Sequence, residues 1–467
     1  MDTQHTRSLE INCLLLLLAG SGMQGYANGT IDAFLMAFLF LLAGVAVVSR
    51  AFPGGKPEMR AFFLTFALCM FVGGLAQCYA LAVFNEPQSM IDAHTFFEQI
   101  SPQPPFTAMA DLPFFNAPLA VVIWQQVYKL TWVLGLKFGP YAGVMFNALM
   151  MGLTGSLTVR TGRELLGDDS WRLQRVGTLF AFCGLFILAG SILLRDCFTT
   201  FFNALVLWGI VRWLVRPTPR NLLYVAALTG VAAYAMVYLR PEAVLLFGLY
   251  GGLALLFWFF AKGPGTARRV AATIALCVLL AAWPYFVDYY ELAQNIQASG
   301  RESYGQLLAL TSSEESLGMR LVVDQPLPIR LVLGSGILMV SPIPLWAYFQ
   351  IGSPEYDWLK GYNGIYQVLL LPLVFAGCLA VYRLVRKDRK QAVPLLFLAI
   401  YLLINVAAVA ATSLEQRHFA QFMPALLILA VLPDTREKGT QNEVYLIALR
   451  WFAVVIFVHL AWAIMKG

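Results

Sequence analysis

The chain has 467 residues, of which 59% are hydrophobic and only 12% are charged, and its mean hydropathy is +0.70. Soluble proteins carry about 25% charged residues, so this composition excludes an ordinary soluble domain and predicts a helical protein with many membrane spans. The formal net charge of +6 does not indicate nucleic-acid binding, because the distribution of the charges matters more than their sum.

Apolar runs recur along the whole chain, and most are long enough to cross about 30 Å of hydrocarbon as a helix. They predict an all-α polytopic membrane protein with about thirteen transmembrane helices. The first run is the weakest because it contains Gly and Gln, and residues 11–20, preceded by Arg7, also fit a cleaved signal peptide. No clear small-x-small cleavage site follows, which favours a first anchor helix. The predicted spans are 9–26, 31–49, 61–83, 139–159, 176–193, 197–215, 221–239, 243–261, 270–287, 365–382, 391–412, 419–433 and 443–464.

The positions of Lys and Arg predict the orientation of the chain, since short cytoplasmic loops are enriched in both. Six short loops hold 20 of the 32 basic residues and only seven acids, and we predict that these loops face the cytoplasm. Their basic residues are Arg50, Lys56 and Arg60; Arg160, Arg163, Arg172 and Arg175; Arg212, Arg216 and Arg220; Lys262, Arg268 and Arg269; Arg383, Arg386, Lys387, Arg389 and Lys390; and Arg436 and Lys438.

The segments between these loops then lie on the outer side of the membrane. No internal repeat or separate soluble domain is recognisable, so residues 1–467 are predicted to form one transmembrane domain with two large outer loops, 84–138 and 288–364. The predicted outer segments are 27–30, 84–138, 194–196, 240–242, 288–364 and 413–418.

Two further apolar runs, 119–135 and 331–348, cannot span if the basic loops are to share one side. The first contains Gln125, Gln126 and Lys129, and the second contains Pro342 and Pro344. We therefore predict two interfacial or re-entrant helices on the outer face.

Residues 84–116 form the first long polar interval of the chain, with five prolines and no Lys or Arg. We expect chemistry here, because a carboxylate-bearing loop lies between membrane helices. Asp92 lies in an otherwise apolar stretch and is the best candidate for a general base. Partial removal from water raises the pKa of a carboxyl group towards the range that is useful for a base. Asp92 also fits a helix N-cap. The remaining candidates in this interval are Glu98, Asp111 and His94.

Three outer breaks between apolar runs carry ionisable residues, which are costly at membrane depth and are therefore candidates for function. A guanidinium is a strong bidentate partner for phosphate, so the arginines predict a phosphate-binding site. The alternatives are an ion pair in a tight turn and an arginine at a helix end that extends to the interface. The residues are Arg195 and Asp196, Arg240 and Glu242, and Arg417 and His418.

Other residue patterns indicate little chemistry. The seven cysteines lie in or beside apolar runs without zinc-type spacing, and His459 stands alone in an apolar run, so both are interpreted as structural. No P-loop, GxGxxG, HExxH or GxSxG motif occurs in a fitting context, which argues against ATP-driven transport and ordinary hydrolase chemistry. No cofactor is predicted, although this pattern does not exclude a divalent metal.

The layout resembles the GT-C superfamily of integral membrane glycosyltransferases, such as protein O-mannosyltransferases and the lipid A aminoarabinose transferase. The resemblance covers about residues 85–435. It rests on the acidic outer segment IDAHTFF (91–97), on a Pro-led amphipathic segment, a Gly-containing turn and a helix ending RELLG (118–167), and on RHFAQFMPALLILA (417–430). This last segment is similar to the Arg-Tyr-x-x-x-x-x-Pro pattern that these enzymes often carry.

The resemblance implies a GT-C-like fold and an inverting transfer of a sugar from a polyprenyl-phosphate-linked donor to a glycan or lipid acceptor. It also implies a bacterial inner membrane protein with its active site on the periplasmic side, working in the assembly of cell-surface polysaccharide or glycolipid. Asp92 would be the general base, and Arg195, Arg240 and Arg417 would bind the phosphate. A metal is not required, since the arginines can compensate the charge.

Two alternatives remain. The family often carries paired acids in its first outer loop, whereas Asp92 precedes Ala93, and the segments SILLRD (191–196) and GILMVSPIPLW (336–346) look like polymerases of exopolysaccharide clusters. A polymerase of polyprenyl-pyrophosphate-linked repeat units is therefore one alternative. The other is a transporter or flippase of lipid-linked glycans, which predicts arginines along a path through the membrane. No nucleic-acid partner is expected for any of the three.

Overall fold

The computed structural model describes residues 2–261 and 325–466 apart from 102, 114–116, 342, 344, 345, 347, 351 and 413–415. Helices make up most of these residues, and no β-strand occurs among them. The α-helices are α1 (Asp2–Asn28), α2 (Asp32–Ala51), α3 (Lys56–Phe84), α4 (Ile91–Glu98), α5 (Pro118–Val133), α6 (Tyr141–Leu166), α7 (Ser170–Ala181), α8 (Gly184–Ser191), α9 (Asp196–Val215), α10 (Pro219–Val237), α11 (Glu242–Ala261), α12 (Leu327–Val340), α13 (Glu355–Lys387), α14 (Arg389–Thr412), α15 (Met423–Ala430) and α16 (Lys438–Lys466).

Eight of these helices are long and apolar enough to cross a membrane, or nine if α7 and α8 count as one span. They indicate an integral membrane protein and confirm the all-helical class for the described residues. The predicted total of thirteen spans goes beyond this number, and the predicted span 270–287 lies outside the described residues. The runs 119–135 and 331–348 overlap the separate helices α5 and α12, of 16 and 14 residues, which are shorter than the roughly 20 residues of a spanning helix.

The predicted span 176–193 is not one straight helix, because α7 and α8 meet at a bend of 55°, although the two together can count as one broken span. The bend frees backbone groups, and one face of α13 supplies their partners. The hydroxyl of Tyr362 donates to Phe182 O (2.8 Å), the hydroxyl of Tyr366 donates to Leu179 O (2.6 Å), and Leu185 N donates to the side chain of Asn363 (3.2 Å). Such a break is tolerated in a membrane helix where neighbouring side chains satisfy the backbone.

The segment predicted as span 419–433 is also irregular. It consists of a 3₁₀ segment, Gln416–Phe422, followed by α15, whose eight residues are all buried. A helix that is apolar and buried on every side lies in the centre of a bundle rather than against lipid. This central segment carries Arg417 at its beginning and leads to Asp434 after its end.

Helices α1 and α3 pack closely through glycines. A Cβ atom on Gly74 would lie 2.7 Å from Gly20 O, and one on Gly20 would lie 2.5 Å from Met70 O. Small residues at such positions let two membrane helices approach backbone to backbone, which replaces the missing hydrophobic driving force by close packing.

The basic loops meet at one end of the bundle. Ion pairs join five of the six loops, either to one another or to the first turns of α16, while the loop with Lys262 and Arg269 lies outside the described residues. These pairs are Arg163–Glu58 (2.7 Å), Arg216–Glu164 (3.1 Å), Arg436–Asp169 (3.1 Å) and Arg383–Glu443 (2.5 Å). The contacts therefore group these loops at a common end, as their charge predicted.

The segments predicted to lie on the outer side meet at the other end, and we call it the acidic-loop end. The hydrogen bonds that join them are Lys137 N to Asp32 Oδ2 (2.7 Å), Tyr79 OH to Ser353 O (2.8 Å), Leu119 N to Tyr238 O (3.4 Å) and Arg195 Nη1 to Leu239 O (3.3 Å). The grouping into two ends matches the prediction from sequence.

We expect Gly74→Ala to lower the thermal unfolding midpoint by roughly 2–8 °C, because overpacking costs about 1–3 kcal/mol. Gly230→Ala in the middle of α10 is the matched control, since its Cβ would meet no atom within 4 Å, and alanine favours a helix. Tryptophan fluorescence of the detergent-solubilised protein measures both midpoints. Equal midpoints for the two variants would contradict the close α1–α3 contact.

Single cysteines at Gln103 and Lys387, in a cysteine-free background, should react with a membrane-impermeant maleimide from opposite sides of sealed vesicles. Both side chains are exposed and belong to opposite ends of the bundle. We expect the Lys387 position to react from the cytoplasmic side. Labelling of both positions from the same side would refute the two-ended arrangement.

Candidate functional site

Helix α4 carries Asp92 in its first turn. The N-cap is Met90, with an extended backbone and no side-chain cap, so the interpretation of Asp92 as the N-cap is wrong. The apolar side of α4 buries Ala93 and Phe96, and the ring of Phe96 packs against that of Trp124 on α5 at 5.3 Å between centroids. Because a helix of two turns is marginal alone, these contacts hold α4 in place.

The carboxylate of Asp92 forms an ion pair with Arg417, 325 residues later in the chain, through Oδ2 and Nη1. The Asp92 side chain is 45% exposed and that of Arg417 is 23% exposed. Asp92 is thus less removed from water than the sequence suggested. An exposed pair contributes about 0–1 kcal/mol to folding, so this contact adds little to stability.

The turn that carries Arg195 is held by a buried amide. Asn147 on α6 donates from Nδ2 to Ile192 O (2.9 Å) and to Leu194 O (3.1 Å), and its Oδ1 accepts from Trp124 Nε1 (2.9 Å). Buried backbone carbonyls require such partners. Trp124 also packs on Phe96, so one continuous set of contacts joins the helix of Asp92 to the turn of Arg195.

Arg240 lies between α10 and α11 and is 6% exposed. The preceding residue, Leu239, gives its carbonyl oxygen to Arg195 Nη1 at 3.3 Å, and Tyr238 O accepts from Leu119 N at the start of α5 (3.4 Å). The breaks before α9 and before α11 therefore lie side by side.

The charges of the three arginines all act on His418. Burial of its ring lowers the pKa of His418 well below its ordinary value, and the positive charges of Arg240, Arg417 and Arg195 lower it further. A charge acts in this way only at short range inside a protein. The imidazole is therefore neutral at physiological pH, within reach of the charges of three guanidinium groups.

Two helix N-termini add to the positive potential of this site. Helix α9 begins at Asp196, directly after Arg195, and α11 begins at Glu242, two residues after Arg240. An N-terminus offers unpaired backbone amides and the positive end of the helix dipole, both of which favour anions. These N-termini follow Arg195 and Arg240 closely in the chain and add to the positive potential around them.

Asp196 lies within this site but is buried. It is 4% exposed, and its Oδ1 has no hydrogen-bond partner among the residues that the structure describes. As the first residue of α9 it is stabilised by the helix dipole. The side chain of Glu242 lies outside the described part of the structure, so the prediction for this residue stays open.

The other candidates are not brought to the arginines by any contact in the described part of the chain. Glu98 and His94 lie four residues apart on α4, face each other at 3.7 Å, and are largely exposed. His94 also contacts Glu86 at 3.5 Å. Asp92 points to another side of α4, because the two residues to His94 correspond to a rotation of about 200° and the six to Glu98 to about 240°. Asp111 ends an exposed 3₁₀ turn.

Asn147 and Trp124 were not singled out in the sequence. Asn147 had a signal that could have found it, since a lone amide in the apolar run 139–159 is costly unless it binds a specific partner. Trp124 had no such signal, because an aromatic residue is ordinary in an apolar helix. Within the described residues, no group of three or more His, Cys, Asp or Glu side chains is placed to hold a metal ion.

No protein-family model, curated protein or solved structure matches this chain. The resemblance to the GT-C superfamily therefore remains an expectation from the sequence.

His418→Gln should make the protein less sensitive to acid. The pKa of His418 is lowered in the folded state, so below about pH 6.5 the unfolded chain binds a proton that the folded site rejects. The contribution of the neutral His418 to the free energy of unfolding is fully present above this pH and is lost as the pH falls below it. From pH 7.5 to 5.5 we expect the wild-type unfolding midpoint to drop by roughly 2 °C more than that of the variant. An equal drop would show that His418 is not held neutral.

Proposed function

We propose that the protein is a membrane glycosyltransferase that moves a sugar from a polyprenyl-phosphate-linked donor to a glycan or lipid acceptor. The observation that supports this best is the ion pair of Asp92 with Arg417, one of three arginines around His418. The arginines support the binding of a substrate with an anionic headgroup such as phosphate. The sugar and the polyprenyl chain rest on the resemblance of the sequence to GT-C enzymes.

The arginines have the chemistry for the phosphate of the donor. Three guanidinium groups and two helix N-termini form hydrogen bonds to phosphate oxygens readily. The neutral ring of His418 adds a donor or an acceptor without further positive charge. As the donor reacts, the bond between the sugar and the phosphate oxygen breaks, and the negative charge that grows on that oxygen is stabilised most by preorganised cations.

Asp92 is placed to take the proton of the acceptor. Its Oδ2 is bound by Arg417, and 45% of the Asp92 side chain is exposed, so an acceptor can reach the carboxylate. In the proposed step Oδ1 accepts the proton of the acceptor hydroxyl, and the hydroxyl oxygen attacks the anomeric carbon from the side opposite the phosphate. The phosphate leaves with the electron pair of the broken bond, and the sugar is inverted.

The position of the site supports a reaction at the outer membrane face. The site lies at the acidic-loop end, and the basic loops lie at the other end of the bundle. Since basic loops are retained in the cytoplasm, we propose a reaction at the periplasmic face of a bacterial inner membrane, in the assembly of cell-surface polysaccharide or glycolipid. The short helices α5 and α12 would admit the polyprenyl chain from the bilayer.

The two alternative functions make different demands on the same residues. A transporter of lipid-linked glycans would need cationic groups along a path through the membrane, whereas Arg195, Arg240 and Arg417 gather at one end. A polymerase of repeat units could use the same site, and the length of the product distinguishes it from a transferase that adds one sugar.

Asp92→Asn should lower turnover by roughly 100-fold or more, because general base catalysis contributes about that much. Binding of a synthetic polyprenyl phosphate should change by less than about threefold. Arg417→Gln should instead weaken binding by roughly 10-fold or more, since a hydrogen bond to a charged group contributes about 1.5–3 kcal/mol. Transfer of labelled sugar from polyprenyl-phosphate-linked sugars, extracted from the native membrane, measures turnover.

Glu437→Gln and Arg220→Gln are the matched controls, because both residues are exposed at the opposite end of the bundle. Both should leave turnover and binding unchanged. Full turnover in Asp92→Asn would remove Asp92 as the base. A wild-type protein that does not bind the polyprenyl phosphate would refute the proposed donor, and a ladder of products would favour the polymerase.

A further inference from the structure

A buried contact joins the two large outer loops close to Asp92. Glu355, the first residue of α13, is 5% exposed. Its Oε1 accepts from Ser89 N at 3.1 Å, and its Oε2 accepts from the hydroxyl of Ser89. We call this pair the Glu355–Ser89 contact.

The contact fixes both the position and the orientation of Ser89. Two hydrogen bonds from the backbone and the side chain of Ser89 to one carboxylate leave little freedom of rotation. A buried carboxylate is costly unless such donors surround it, and hydrogen bonds to a charged group are stronger than neutral ones. With both oxygens occupied, Glu355 is not placed to exchange protons with a substrate.

Glu355 lies at the start of a long helix. Helix α13 is 33 residues long and is one of the candidate membrane spans. The segment before α13 is also tied to α3, because the hydroxyl of Tyr79 donates to Ser353 O (2.8 Å) and accepts from Gly352 N (3.2 Å). The carboxylate thus has a fixed place relative to α3 and the bundle.

Ser89 lies three residues before Asp92. Only Met90, the N-cap of α4, and Ile91 stand between them. The N-cap has no side-chain hydrogen bond of its own, so the entry to α4 depends on tertiary contacts. Ser89 is the point at which the chain is anchored immediately before the helix begins.

We propose that Glu355 is a positioning residue for Asp92, acting through Ser89. The expected effect on turnover rests on the function proposed above. The expected effect on the position of α4 does not. The Glu355–Ser89 contact holds the entry of α4, Phe96 holds its apolar side against Trp124, and Asp92 then meets Arg417. A displacement of a reacting group by about 1 Å can cost roughly 100-fold in rate, which is why such a second layer of contacts matters for catalysis.

The structural part is tested with spin labels on cysteines at Ile91 and Ile31 in a cysteine-free background. Both side chains are exposed, and the distance between the labels reports the place of α4 relative to α2. Glu355→Ala should broaden or shift the distance distribution. Ser89→Ala, which removes only the hydroxyl, should do so less and serves as the second variant if Glu355→Ala does not fold. Glu443→Ala, which removes an ion pair at the opposite end, is the control and should change nothing.

The effect on turnover is tested by a double-mutant cycle. Glu355→Ala should lower kcat by roughly 10- to 100-fold while the KM for the lipid donor changes by less than about threefold, because the arginines are untouched. In the Asp92→Asn background, Glu355→Ala should add little further loss, since a residue that acts through Asp92 has nothing left to position. Glu355→Gln, which keeps the length of the side chain, should restore part of the rate.

The outcomes separate this inference from the proposed function. An unchanged distance distribution in Glu355→Ala would overturn the positioning role whatever the activity. Additive losses in the double variant would also overturn it. A changed distribution in a protein whose turnover does not depend on Asp92 would support the positioning of α4 and refute the proposed role of Asp92.

Discussion

The ion pair between Asp92 and Arg417 is the contact on which the site depends. It joins a short helix in the first large outer loop to the beginning of the central buried segment, and it connects a carboxylate with arginines from three separate breaks. Because both partners are partly exposed, the pair contributes little to stability. Its importance is in geometry, since it places a second, partly exposed acid beside a cluster of cations that otherwise contains only the buried Asp196.

The surroundings of this cluster lower the electrostatic cost of placing three arginines together. Like charges at close range are costly in a medium of low dielectric constant. Here the cost is offset by the carboxylate of Asp92, by the neutral state of His418 and by hydrogen bonds from arginine to backbone carbonyls such as Leu239 O. The turn that carries Arg195 is fixed by Asn147, a buried amide with three hydrogen bonds. A polar group in an apolar bundle is retained only where it is well satisfied.

The two ends of the bundle are mechanically linked through the central segment. Arg417 stands at its beginning, and Asp434 and Arg436, just beyond its end, contact residues at the start of α7. The guanidinium groups of Arg175 and Arg436 both lie over the ring of Trp171, each 4.7 Å from its centroid. Helix α7 continues through the bend into α8 and the turn of Arg195. The same junction at the basic end therefore supports two of the three arginines, which explains how a site built from distant segments keeps its shape.

The sequence by itself determined the class of protein, the grouping of loops at two ends, and the charged residues worth considering. These follow from the composition of single segments. The free energy of placing an apolar run, or a charge inside it, in the membrane can be judged without knowing which residues it contacts. The tertiary structure alone decided that Asp92 rather than Glu98 meets an arginine, that Met90 rather than Asp92 caps α4, and that α7 and α8 are bent. It also decided that Asn147 and Glu355 hold the surroundings. Each of these depends on the direction of a side chain and on contacts between residues far apart in the chain, and hydropathy contains no information about either.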